Sequence, residues 1–261
     1  MASLAGGFEI VCEIEPPTSP DLMHARHQIG VLSRVASAFL IPDNHLGRAT
    51  VSSIAVAHEV ALMGGRSIAC LNARDRNLLG FRRDLLTAAA YGVDQFLFVY
   101  GDRPSSGSRT GQLTVRTMID ELRACAATQT LATPFRVGVS AGPGPLASWK
   151  READFLFAQV QFSLDDLLRW RATIEFDGPV YAGVMAVPSI GMARKIGAEI
   201  PQLRVPDRWL DAIEGDPVAG VRLACDLVRA VESSEAFAGV HLIPVSRYRE
   251  VAATLETAQR T

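Results

Sequence analysis

Short apolar runs rich in β-branched and aromatic residues alternate along the chain with longer segments of helical spacing. Eight runs read as strands: EIVCEIE (9–15), ASAFLIP (36–42), SIACLNA (67–73), QFLFVYG (95–101), RVGVSAG (136–142), DFLFAQVQF (154–162), VYAGVMAV (180–187) and GVHLIPV (239–245). Helical spacing marks 21–35, 50–63, 79–92, 112–127, 163–174 and 217–231 between them, several of these segments ending at glycine. Strands alternating with helices predict βα units on a parallel sheet. Eight such units in 261 residues predict one (β/α)8 barrel, a fold that typically takes ~250 residues. A doubly wound open sheet is the alternative, but no GxGxxG follows the first strand. The stretch PSSGSRTG (104–111), after the fourth strand, reads as a flexible loop over the barrel mouth.

Composition narrows the partners more than the fold. The chain is 48% hydrophobic and 21% charged with a formal net charge of -2, and its basic residues are scattered among acids. That balance carries no electrostatic footprint for nucleic acid or a membrane surface. No window approaches the run of apolar residues that a membrane span requires, and MASLAGG has neither a basic n-region nor an apolar h-region, so a cytoplasmic protein is expected. Cys12, Cys70, Cys125 and Cys225 are widely spaced, without CxxC or Cys/His patterns; they read as small hydrophobes rather than disulfides or zinc ligands. The five histidines show no metal spacing and read as surface or packing residues.

Catalytic groups of a barrel sit at the C-terminal ends of its strands. Polar side chains cluster at four such ends: Glu13 and Glu15 on the first, Asn72, Arg74 and Asp75 on the third, Gly101-Asp102 on the fourth, and Gln159 with Gln161 on the sixth. Alternation puts Glu13 and Glu15 on one face of their strand. Glu15, next to two prolines, reads as a rim residue, whereas Glu13 lies one pleat deeper, where a carboxylate is costly without a role. On spacing alone, ARDRN (73–77) reads equally as an ion-pair network or a ligand contact, and Asp102 equally as a turn residue or a site residue.

Taken in order, these stretches resemble the methylenetetrahydrofolate reductase family of (β/α)8 barrels. CEIEPP is similar to the family's F-E-F-F-P-P, SIACLNARDRN to H-L-T-C-x-D-R-N, and GVDQFLFVYGDRP to G-I-x-N-I-L-x-L-R-G-D-x-P. ADFLFAQVQF is similar to A-D-F-x-x-T-Q-x-F-F, VYAGVMAVPS to P-G-I-x-P-I, and GVHLIPVSR to G-x-H-F-Y-T-L-N-R. The resemblance implies reduction of 5,10-methylenetetrahydrofolate to 5-methyltetrahydrofolate by hydride from NADH or NADPH. It makes Glu13 the catalytic acid, Asp102 the aspartate beside pterin and hydride donor, and Gln159 the pterin-binding glutamine, with Gln161 and Arg247 as further substrate contacts. Glu15, Asn72, Asp75 and Tyr100 become candidates for the cofactor side, and Arg194, Lys195 and Arg204 for the glutamyl tail.

Departures from the family bear on FAD. The family's flavin-contacting histidine falls on Ser67 and its arginine before Gly-Asp on Tyr100. Its Y-A-x-D-L appears as LTVRTM (113–118), and its long insertion between the fifth and sixth strands shrinks to GPGPLASWKRE (142–152). The reading that follows is direct transfer from the nicotinamide without bound FAD. Two alternatives keep the same pterin residues: a conventional FAD enzyme in which Tyr100 stacks on the isoalloxazine, and a folate-binding accessory module without redox activity.

Overall fold

Eight strands hydrogen-bond in chain order and the last closes on the first, giving a (β/α)8 barrel. The computed structural model describes residues 7–102, 107–129, 131–200 and 203–259. The strands are β1 (Glu9–Glu13), β2 (Ala38–Ile41), β3 (Ser67–Asn72), β4 (Gln95–Val99), β5 (Arg136–Ala141), β6 (Phe155–Val160), β7 (Val180–Met185) and β8 (Gly239–Ile243). All eight pairs are parallel, β1 pairing with both β2 and β8. Parallel neighbours need a crossover connection, and helices supply it: α1 (Met23–Leu32), α2 (Ser53–Leu62), α3 (Leu78–Ala90), α4 (Val115–Thr128), α5 (Leu164–Arg171), α6 (Ile190–Glu199), α7 (Asp207–Gly215), α8 (Ala219–Ser233) and α9 (Tyr248–Gln259). No helix among the described residues is long and apolar enough to cross a membrane.

Strand alternation divides the core in two. Val11, Leu40, Cys70, Leu97, Phe157 and Tyr181 fill the barrel interior. Their neighbours on each strand, among them Cys12, Phe39, Ala69 and Phe96, face outward against the helices. The helices answer with apolar stripes: α8 buries Val221, Ala224, Cys225, Val228 and Val231 on one face. Local signals fix several starts. The Asn77 side chain accepts from Gly80 N–H at 2.7 Å to cap α3, and Thr114 and Thr117 form a reciprocal capping box on α4.

The predicted elements recur with their ends moved by a few residues, and the shifts have physical causes. β1 stops at Glu13 rather than residue 15, because Pro16 and Pro17 remove two ladder donors. The Glu15 N–H then leaves the sheet for the Gln28 side chain at 3.4 Å. β4 stops at Val99 rather than residue 101, where Gly101 turns with φ of +97°. Between β5 and β6 the chain makes only a 3-10 turn at Ser148–Glu152, with Leu146 and Trp149 packed on the core in place of a helix. Helices α6, α7 and α9 lie outside the predicted set. Of the loop expected at 104–111, residues 104–106 fall outside the described residues; Gly107 and Gly111 have φ of +80° and +66°.

Candidate active site

The C-terminal ends of β1 and β8 bring a carboxylate and an imidazole together. Glu13 is the last residue of β1 and follows Val11 on the inward face. His241 is the central residue of β8 and pairs across the ladder with Val11 and Gly183. Its Nε2 lies 3.2 Å from Glu13 Oε2, and its ring meets Phe157 edge-on at 5.2 Å. The Glu13 side chain keeps 16% of its surface exposed, so the pair sits at the floor of the mouth with a path to solvent. His241 was expected at the surface or as packing. It is buried and packed, and it also hydrogen-bonds the Glu13 carboxylate, brought there by a sheet that closes across 228 residues. His24, His27 and His45 are exposed, as expected, and His58 is half-buried and stacks on Tyr91.

The ends of β2 and β3 are tied together by an interlocking polar network. The Asp43 carboxylate accepts from Asn72 N–H at 2.9 Å and from Asn72 Nδ2 at 2.7 Å, and it also pairs with Arg76 Nη1. Arg76 reaches Asp84 on α3 at 2.8 Å. Arg74 lies alongside Asp75 with Nε and Nη2 at 2.8 and 2.9 Å, and Asn44 donates to the same carboxylate at 3.0 Å. The Arg74 guanidinium, then hydrogen bonds from Asn44 and Asn72, hold the Asp75 carboxyl below the usual range against the opposing effect of burial. So ARDRN is an ion-pair network in this fold. Asn72 is fully buried within it and Asp75 is half-buried. Asp43, Asn44 and Asp84, which complete the network around ARDRN, escaped the sequence reading because they come from other segments of the chain.

Gly101 sets the position of Asp102. A Cβ at residue 101 would stand 2.8 Å from Asn72 Cβ, and the φ of +97° is open only to glycine at low cost. The exposed Asp102 accepts from Leu46 N–H at 2.9 Å. It thereby pins the β2 to α2 loop, in which Asn44 and Leu46 both adopt left-handed backbone. Tyr100 is 48% exposed, and its hydroxyl accepts from Arg109 at 3.1 Å. Charges from three loops converge on the inward thiol of Cys70. Burial first, then Asp43 and Glu13, push that thiol well above its ordinary value, and Asp102 adds to the rise.

On the far wall, a bulge in β6 shifts its register with β7 between Phe157 and Val160. Gly183 allows this, since a Cβ there would meet Ala158 O at 2.6 Å and Val160 N at 2.7 Å. Gln159 lies in the bulge. Gln161 lies past the strand end, its N–H donating to Gly183 O at 3.1 Å. Simple alternation therefore does not relate the two glutamines, although both border a small cleft against Gly142, Pro143, Leu167 and Trp170. Arg247, just after β8, pairs with Glu250 at 2.9 Å. Arg194 and Lys195 lie exposed on α6, and Arg204 meets Asp207 at 3.6 Å on the surface.

One correspondence fails on geometry. Ser67 opens β3 at the end opposite the mouth, and its hydroxyl donates to Ala57 O at 3.4 Å. Five residues of strand, roughly 16 Å at ~3.3 Å per residue, separate it from Asn72. Anchoring the same motif on Asp75-Arg76-Asn77 moves the histidine's place to Cys70.

No family model matches this chain, and no curated protein matches it. Solved structures do. A Clostridium thermocellum protein that binds two copies of 5-methyl-5,6,7,8-tetrahydrofolic acid superposes with a TM-score of 0.65 at 12% identity, over 97% of this chain and 96% of that one. The likeness is one of fold. A mutant tryptophan synthase α-subunit from Pyrococcus furiosus gives 0.57 at 12% identity over 97% and 98% of the two chains. A tamarind chitinase-like lectin gives 0.53 at 11% over 94% and 98%.

Proposed function

We propose that this protein reduces 5,10-methylenetetrahydrofolate to 5-methyltetrahydrofolate, taking hydride directly from NADH or NADPH, with Glu13 as proton donor. The observation that carries this reading is Glu13 itself: an inward carboxyl at the catalytic end of β1, part exposed, whose side-chain partner among the described residues is His241. A barrel neighbour that binds a tetrahydrofolate adds support for the substrate class. The imidazolidine ring of the substrate opens when its C–N10 bond breaks and N10 takes a proton, leaving an iminium at N5. Hydride from the nicotinamide then adds to the methylene carbon. Glu13 supplies the proton, a contribution typically worth 10²–10⁴-fold. Asp102, with one carboxylate oxygen engaged by Leu46 N–H, stabilises the cationic iminium. Gln159, set by the bulge, offers its amide to the pterin edge.

The residues at the flavin-contact positions do not fit FAD. Cys70 is a buried thiol where the family has a histidine, and the Tyr100 hydroxyl is engaged by Arg109 where the family has an arginine. Leu113 is buried and Thr114 is spent on capping α4, in the segment where the family places a flavin contact. Hydride therefore passes from the nicotinamide to the substrate without a flavin. The test is anaerobic oxidation of NADH with methylenetetrahydrofolate, with and without added FAD. Colourless protein should form 5-methyltetrahydrofolate at the same rate in both. A yellow preparation whose activity follows its flavin content would restore the FAD enzyme. Folate binding without turnover under either condition would point to the accessory module, and the absence of both would end the folate reading.

A further inference from the structure

A lone carboxyl is a poor store of protons at neutral pH. Ordinary glutamic acids ionise near pH 4.3, whereas imidazole titrates near 6.5. An acid catalyst partly open to water, as the Glu13 side chain is, has to draw its proton from somewhere. Among the described residues, the side-chain nitrogen that hydrogen-bonds this carboxylate is His241 Nε2, at 3.2 Å. We propose that Glu13 and His241 hold one proton between them, His241 storing it and passing it through Glu13 to the substrate at each turnover. The proposal rests on the reductase reading for its substrate but on geometry for the pair.

The surroundings favour a retained proton. From β3, the Cys70 thiol faces the pair in its neutral form, raised by burial and by Asp43 and Glu13. Beyond it Asp43 and Arg76 neutralise one another as an ion pair, and Asp102 is engaged by Leu46 N–H. From β6, Phe157 closes one side of the imidazole with an apolar ring. From β2 the ladder neighbour of Glu13 is Leu40, and from β7 that of His241 is Gly183. Below, on β7, the Tyr181 phenol is occupied by Glu9 and is pushed up by burial first. Among the described residues, these neighbours leave the carboxylate and the imidazole as partners in one contact, and the pair acts as a unit.

The proton balance closes. One proton leaves the pair for N10 as the C–N10 bond breaks, hydride supplies the two electrons, and the pair recovers a proton from water through the exposed edge of Glu13. His241 acts through Glu13, which makes it a positioning and resupplying residue. A purely structural histidine would affect rate evenly across pH, whereas a proton store sets where activity falls.

Two measurements decide it. In the wild type, kcat/KM for hydride transfer should hold to about neutral pH before falling. In His241→Gln, which can still hydrogen-bond but does not titrate, the fall should move into the ordinary carboxyl range. That leaves activity about 10²-fold down at pH 7.5 and within about threefold of wild type near pH 4.5. An unmoved falling limb in folded His241→Gln, checked by its circular dichroism melt, overturns the proposal. The second measurement needs no turnover and covers the case in which that variant fails to fold. Imidazole NMR titration of His241 should give a higher midpoint in wild type than in Glu13→Gln, and equal midpoints overturn the pair. Should the wild type reduce no folate, the reductase reading falls alone and the NMR comparison still decides whether the pair shares a proton.

Discussion

Strand β1 carries two glutamates on its inward face, four residues apart, and the barrel treats them in opposite ways. Glu9, at the base, is 2% exposed and saturated: Arg66 Nη2 donates to Oε1 at 2.7 Å and the Tyr181 hydroxyl donates to Oε2 at 2.5 Å. Glu13, at the mouth, has one imidazole partner and an opening to solvent. The residue type, strand and face are the same, so the difference comes from the ends of the barrel. At the base, Ser37 O and Glu9 together anchor the Arg66 guanidinium, tying β1, β2 and β3 into a closed floor. At the mouth, Asp43 and Arg76 perform the equivalent tie between β2 and β3, leaving Glu13 outside the ion pairs. A buried carboxylate with both oxygens engaged serves stability. One with a single titratable partner is available for chemistry.

The largest expected effect separates the two by exchange of charge for amide. Glu13→Gln should lower turnover by on the order of 10³-fold while moving the thermal midpoint little, as read by steady-state kinetics beside a calorimetric melt. Glu9→Gln should do the reverse. Breaking a buried pair costs about 3–5 kcal/mol, and with Arg66 39% exposed the loss should be nearer 2–3 kcal/mol in urea unfolding, at unchanged kcat per folded molecule. If Glu9→Gln lost turnover without losing stability, the division between floor and mouth would collapse.

Tyr181→Phe probes the floor more gently. It removes the hydroxyl from Glu9 but leaves Arg66 in place, and should cost about 1–2 kcal/mol. It also carries a pH signature. Burial first, then the hydrogen bond to Glu9, raise the Tyr181 phenol, so the folded state resists ionisation there. Stability from this group is present below the ordinary phenol value of about 10 and declines as pH rises above it. The alkaline decline in urea midpoint should shrink in Tyr181→Phe, and an identical decline in both proteins would assign it elsewhere.

This contrast also marks what could be read from the sequence. The eight strands and their order were legible because each is a short apolar run between helical segments, and Glu13 stood out as a charge at the end of such a run. Glu9 did not, since it opens the same run and its reason for being there, Tyr181, is 172 residues away. His241 was hidden for the same cause: only barrel closure juxtaposes β8 with β1. The bulge at Gln159 depends on Gly183 in the neighbouring strand, so period-two reasoning along β6 alone could not find it. Ser67 was misassigned because a motif match ignores depth along a strand, which the register supplies.

The smallest expected effect tests where the mouth ends. Glu15 was expected to share a face with Glu13, but the sheet stops between them. Ile14 still donates its N–H to Leu40 O at 2.9 Å, whereas the Glu15 N–H turns away to Gln28. The Glu15 side chain is exposed beside Pro16 and Pro17, where water screens its charge. Neutralising it should therefore leave kcat within about twofold and lower the KM for NADH or NADPH by no more than a few-fold, equivalent to about 1 kcal/mol or less. The two outcomes around that expectation sharpen the comparison differently. A loss of kcat comparable to that of Glu13→Gln would extend the catalytic mouth one residue beyond the strand. A fall in KM that disappears at high salt would keep Glu15 at the rim, repelling the incoming anionic dinucleotide through a long-range field.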